Sequence, residues 1–93
     1  MERGIYLIFD RVSLSIASPL FQELRDGSAV RQFADLVART QGPLSEHPGD
    51  YDLLYVGSIN DETAEITPCP IEPRRVANGE DLIRRNDVSV AAE

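Results

Sequence analysis

Apolar residues along this chain recur with more than one spacing. Ile5-Tyr6-Leu7-Ile8-Phe9 is an unbroken bulky run between Gly4 and Asp10, the pattern of a strand central in its sheet or covered on both faces. After a turn at Asp10-Arg11, Ser13-Leu14-Ser15-Ile16-Ala17 alternates polar and apolar, which predicts a half-buried partner strand in a hairpin with the first. Pro19 ends it, because proline has no N–H to give the ladder. Leu20 to Arg25 reads as a connection anchored by Leu20, Phe21 and Leu24. From Ala29 the spacing becomes helical: Val30, Phe33, Ala34 and Val37 make one stripe, flanked by Ala29 and Leu36. Asp26 or Ser28 is placed to cap the first turn, and Thr40-Gln41-Gly42-Pro43 supplies the stop.

Ser45 to Asp50 reads as a polar loop, followed by a third strand over Tyr51 to Ile59. Asn60 to Thr63 turns the chain, and Ala64-Glu65-Ile66-Thr67 makes a short fourth strand. Pro68, Pro70 and Pro73 keep the next segment extended and outside regular pairing. Residues 77–85 suit one or two helical turns capped by Asn78, and residues 86–93 read as a tail. The predicted fold is therefore α+β, a small antiparallel sheet of about four strands in the order ββαββ packed on one main helix. Residues 1–67 form a single domain, and residues 68–93 an irregular C-terminal arm containing proline and arginine. One helix covers only one face of such a sheet, so the other face must stay partly polar, be covered by the proline-rich arm, or meet a partner.

Ninety-three residues suffice for one modest core. No apolar run approaches the roughly 18 residues of a membrane span, and Met-Glu-Arg-Gly-Ile-Tyr at the start lacks the pattern of a secretory signal. A soluble, cytoplasmic protein is expected. The net charge of −7 is unevenly spread. Residues 1–42 balance five acids with five arginines, residues 43–67 carry six acids and no base, and residues 68–93 hold five acids and four arginines. Lysine is absent. Such a balance argues against a sequence-independent DNA coat, which needs a basic field, but it permits a local arginine face.

Candidate chemistry is sparse. Cys69 is the one cysteine, so neither an intrachain disulfide nor a cysteine metal site is expected. His47 is the one histidine, placed before Pro48 in a turn, which favours an exposed loop residue over a base or ligand. No glycine-rich phosphate motif occurs, so no cofactor is expected. The acidic groups Asp50/Asp52 and Asp61/Glu62/Glu65 lack the ligand spacing of a calcium loop. Tyr6, Tyr51 and Tyr55 suit core positions better than a base-stacking platform. What remains is cationic: Arg31 and Arg39, with Asp35 between them at i+4 on the outer helix face, and the pairs Arg74-Arg75 and Arg84-Arg85. These six are the candidate contacts to phosphate or an acidic surface. Glu72, Glu80, Asp81 and Asp87 lie close in sequence to neutralise the pairs. No catalytic constellation emerges, and a binding or regulatory protein is expected rather than an enzyme.

Three segments together resemble a known family. The first strand ends in Asp10, Pro19-Leu20-Phe21 leads to Ala29-Val30-Arg31-Gln32-Phe33, and His47-Pro48-Gly49-Asp50-Tyr51-Asp52-Leu53-Leu54-Tyr55-Val56-Gly57 follows. In this order they are similar to the small nonstructural protein of gokushovirus-type microviruses, phages with small circular single-stranded DNA genomes, over about residues 5–67. The chain departs from that family at Ala64, where a glycine often completes the turn, and at Gly49, where an acid is frequent. The resemblance implies a role like that of microvirus protein C, at the switch to single-stranded DNA synthesis and packaging in the host cytoplasm. Single-stranded DNA and phage replication or packaging proteins are the partners it implies. The residues also leave a second reading open, a structural or virion-associated homo-oligomer that buries its own sheet without binding DNA.

Overall fold

The computed structural model describes residues 1–39 and 41–82. Six strands form one sheet, with β1 (Glu2–Asp10) and β4 (Tyr51–Asn60) at its centre. On the far side of β1 lie β2 (Ser15–Ile16) and β3 (Phe21–Glu23), end to end. On the far side of β4 lie β5 (Ile66–Pro68) and β6 (Arg74–Asn78). Every one of these pairings is antiparallel. The main helix α1 (Asp26–Arg39) follows β3, and α2 (Pro43–Glu46) with a 3-10 turn (Pro48–Asp50) leads into β4.

The unbroken run in β1 serves both faces. Tyr6 and Ile8 face the helix and join Ala29, Phe33, Tyr51, Leu53 and Leu82 in the core. Ile5 and Leu7 are buried without belonging to that cluster. On α1 the stripe is seated slightly differently from its period: Ala29 and Phe33 are fully enclosed, while Val30, Ala34 and Val37 pack at the margin. The small Ala29 lets the helix approach the sheet closely. Asp26 sits in the first turn and Arg39 in the last, each favourable to the helix dipole. Gly42, at φ 120°, takes a backbone that side chains disfavour and turns the chain into α2.

Several expectations are corrected. The half-buried strand over 13–17 shrinks to the exposed pair Ser15–Ile16. It stops because the Ile8 N–H is taken by the Ser18 side chain at 2.9 Å, so the ladder breaks before β3 resumes it. Phe21–Glu23, read as a connection, is that resumed strand. The polar loop at 45–50 instead holds the end of α2, which begins at Pro43, and the 3-10 turn, with Ser45 Oγ donating to the Val37 carbonyl at 3.0 Å and the His47 N–H to the Pro43 carbonyl at 2.8 Å. The arm after residue 68 is not irregular throughout, since Arg74–Asn78 joins the sheet as β6 and Leu82 enters the core. Asn78 behaves as predicted, its Oδ1 accepting from the Glu80 N–H at 2.9 Å at the head of helical residues 79–82. Expectations for Arg84, Arg85, the tail and Thr40 fall outside the described residues.

The turn into β5 tests the departure from the family at Ala64. The Ala64 N–H bonds the Asn60 carbonyl at 2.7 Å, and Asn60 Oδ1 accepts from the Glu62 N–H at 2.9 Å. The turn closes with alanine held at φ 65°, a conformation glycine adopts more easily. Ala64→Gly is expected to raise stability by about 0.5–1 kcal/mol, read as a higher urea midpoint at unchanged slope.

Candidate interaction surfaces

The candidate arginines meet different fates. Arg31 and Arg39 project from the outer face of α1, exposed, and form no ion pair with any described residue. The helix period that buries Phe33 necessarily turns these two outward. Arg84 and Arg85 lie outside the described residues.

Arg74 is committed within the fold. Its position opposite Tyr55 in the β4–β6 pairing brings its side chain to the helix side of the sheet. There Nη1 donates to Asp26 Oδ2 at 2.9 Å and Nη2 to Oδ1 at 3.2 Å, a two-pronged contact with the first turn of α1. The guanidinium carbon also lies 4.7 Å from the centre of the Tyr55 ring. Tyr6, enclosed in the core, donates its hydroxyl to Asp26 Oδ1 at 2.7 Å and meets the Tyr55 ring edge-on at 5.5 Å. Arg74 first, and the Tyr6 hydroxyl after it, hold the Asp26 carboxyl below its ordinary pKa against a desolvation that opposes them. Burial, seconded by Asp26, pushes the Tyr6 phenol far above its ordinary pKa.

Arg75 points to the opposite face, where Nη1 is 3.9 Å from Asp52 Oδ1. Arg11 Nε is 3.5 Å from the other oxygen, and Arg11 also donates to the Gly49 carbonyl. The Asn78 amide bonds Asp52 Oδ1 at 2.8 Å, the Gly49 carbonyl at 2.9 Å and the Tyr51 carbonyl at 3.2 Å. Asp52 is thus a buried acid held between two cations and an amide. The ion pairs of Arg74 and Arg75 among the described residues are with Asp26 and Asp52, both distant in sequence. Sequence reasoning singled out Asp26 and Asn78 only as caps and missed Arg11 altogether, because these contacts span dozens of residues.

The remaining candidates are ordinary. Asp61 accepts from Arg3 Nε at 3.3 Å and from the Met1 amine at 3.0 Å. Among the described residues no three acidic, histidine or cysteine side chains converge as a metal site would require. Cys69 is half-buried, its thiol on the Tyr55 carbonyl at 3.4 Å. His47 is exposed between α2 and the 3-10 turn. Tyr6 and Tyr51 are buried, and Tyr55 is half-buried under Arg74, so the tyrosines offer no row of free ring faces. No described helix is long and apolar enough to cross a membrane.

Against known proteins, the family model described as Phage ORF5 protein matches residues 3–82. No curated protein and no solved structure matches.

Proposed function

The chain belongs to the Phage ORF5 protein family, and from that premise we propose that it is a non-enzymatic phage nonstructural protein acting in viral single-stranded DNA synthesis or packaging in the host cytoplasm. The finer assignment follows the likeness of residues 5–67 to the gokushovirus-type protein and through it to microvirus protein C. Its mode of action is docking on a basic protein of the replication or packaging machinery, with DNA touched at most by a narrow arginine face. One observation carries that choice: Arg74 and Arg75, half of the described candidate arginines, already face the carboxylates of Asp26 and Asp52. A chain of net charge −7 with exposed acids distributed over its surface, three of them (Asp61, Glu62 and Glu65) at the β4–β5 turn, repels phosphate and attracts a cationic protein surface.

The test is fluorescence anisotropy of labelled single- and double-stranded DNA at about 50 and about 200 mM salt, a range over which phosphate contacts lose affinity steeply. Docking through protein predicts no saturable binding to either DNA at the higher salt. Any residual binding at the lower salt is expected to fall in Arg31→Ala/Arg39→Ala and to persist in Arg75→Ala. Tight, single-strand-selective binding at about 200 mM would replace this reading with direct DNA contact.

A further inference from the structure

The helix α1 and the side chains of Leu44 and Leu82 pack on one cluster on the Tyr6 side of the sheet, while the 3-10 turn closes the end of the sheet, its Gly49 carbonyl bonded by Arg11 and Asn78. The pairing registers place Ile5, Leu7 and Phe9 of β1, with Leu54 and Ile59 of β4, on the other side. Ile5 and Leu7 are already buried there within the single chain and Phe9, Leu54 and Ile59 half-buried, so the surface this side offers lies toward its edges. Ile16 pairs with Phe9 and Ile66 with Ile59, so both extend the same face. They are 57% and 60% exposed. At one end of β1 this face has an open apolar groove lined by Ile5, Leu20, Phe21, Gln22 and Ile59. At the other end, on the same edge, Ile16 stands beside a turn in which Asp10 Oδ1 accepts the Val12 and Ser13 N–H groups at 2.9 and 3.2 Å. That turn holds Leu14 at φ 57° while leaving it 76% exposed. A bulky apolar residue kept in a strained backbone and presented to water is a poor arrangement for an isolated chain.

We propose that this face is a self-association surface, and that the protein forms a two-fold dimer in which the Leu14/Ile16 turn of each copy enters the groove of the other. The groove and the turn flank Ile5 and Phe9, four residues apart, a separation of about 14 Å. A two-fold axis parallel to the sheet and about 5 Å above this face, crossing over β1 at right angles near Leu7, exchanges the two ends and keeps the edge. Each copy then offers its turn where the other offers its groove, the self-complementarity of a closed symmetric interface.

Charge points to the same occupant. Among the described residues the ionic groups on or beside this face are Arg3 and the Met1 amine with Asp61, the amine also near Glu62, and Arg11 and Arg75 with Asp52. They are four cations against three carboxylates, a small positive balance in a molecule of net charge −7. A strongly basic partner or a nucleic acid finds no strong field there, whereas a second copy brings an equally apolar, equally weakly charged surface. Each carboxylate there is already paired, so association buries no lone acid, and the arginine that shares Asp52 keeps its long side chain at the rim. Extension at the strand edges is disfavoured instead: each edge is two short strands with a break, at Pro19 on one side and at Pro70 and Pro73 on the other. A sheet about four strands wide and nine residues long has a footprint of about 600 Å², near the roughly 800 Å² per partner of a standard interface once side-chain relief is included.

Sedimentation equilibrium of the full chain decides. The wild type is expected to show a species of twice the 10.3 kDa chain mass. Its dissociation constant should be unchanged or lower on going from about 50 to about 500 mM salt, since apolar burial is not screened and the −7 repulsion is. Leu14→Gly relieves the strained backbone, so this variant is expected to keep or gain thermal stability while its dimer weakens at least tenfold. Ile16→Glu, at a site exposed in the single chain, should leave the circular dichroism intact and weaken the dimer about 100-fold, each substitution being felt twice across the axis. A wild type that stays monomeric at about 100 μM overturns the proposal, as does a dimer that both variants leave unchanged.

Discussion

Phe33→Ala is expected to lower the unfolding free energy by about 3–5 kcal/mol, the range for removing an aromatic ring from an enclosed site. Phe33 is 0% exposed and lies in one cluster with Tyr6, Ile8, Leu53 and Leu82. It is where α1 is fastened to both central strands. The cavity cannot be filled easily, because its walls come from β1 and β4, which are paired along nearly their whole lengths, and from the terminal turn through Leu82. For a domain of about 5–15 kcal/mol total stability, such a loss unfolds a substantial fraction of molecules. Urea denaturation measures it: the midpoint should fall with the slope retained. Leu36→Ala, on the same helix but 39% exposed, should fall well short of that effect. Comparable losses at the two positions would mean that the helix is held by something other than this cluster.

The parts of this fold that were legible in the sequence are those whose pattern repeats long enough to exclude alternatives. The apolar run of β1, the alternation within Tyr51–Ile59 and the four-residue stripe of α1 each led to the right element, with ends displaced by a few residues. α1 begins at Asp26 instead of after it, and β1 extends back to Glu2. The segments misread are short and half-exposed, where the partner decides the conformation. Phe21–Glu23 and Arg74–Asn78 are strands because β1 and β4 present free edges to them. Nothing in their own composition separates them from loops. The bulges beside Ile5/Tyr6 and Leu53/Leu54 left no trace in the sequence for the same reason.

The candidate site shows the same limit in electrostatic form. Arg31 and Arg39 were readable as outward-facing because the helical period alone determines that. The fate of Arg74 was not, since the carboxylate that holds it lies 48 residues away in sequence. Counting acids near an arginine pair estimates a local field, but it does not find the distant carboxylates of Asp26 and Asp52 that meet Arg74 and Arg75. That a second sheet face lies beyond the reach of α1 was legible from the element order, because one helix cannot cover two faces. That its edges are broken, and that a strained leucine stands at its corner, required the coordinates.

Asp26→Ala is the second large effect expected, a loss of about 2–4 kcal/mol. The larger part comes from Tyr6, whose hydroxyl has Asp26 as its partner and whose side chain is 2% exposed. Deleting the acceptor leaves a buried donor unsatisfied. The ion pair with Arg74 contributes less, because both side chains are about half exposed and solvent screens them. Removing an acid from the first turn of α1 adds a few tenths more. A double-mutant cycle separates these parts: Tyr6→Phe should cost stability in the wild type but little or none in the Asp26→Ala background, where the hydroxyl it removes is already orphaned. Acidity provides an independent check. Asp26 has a lower pKa folded than unfolded, so its contribution is complete above about pH 4, the unfolded value, and is lost as pH falls through the depressed one. Tyr6 is shifted upward, so its contribution is complete below about pH 10 and is lost as pH rises beyond that. The stability difference between wild type and Asp26→Ala should therefore be flat through neutrality and narrow below about pH 4. A difference that stayed constant down to about pH 2 would show that the carboxylate charge plays no part, and that the loss on mutation comes from packing around Tyr6 alone.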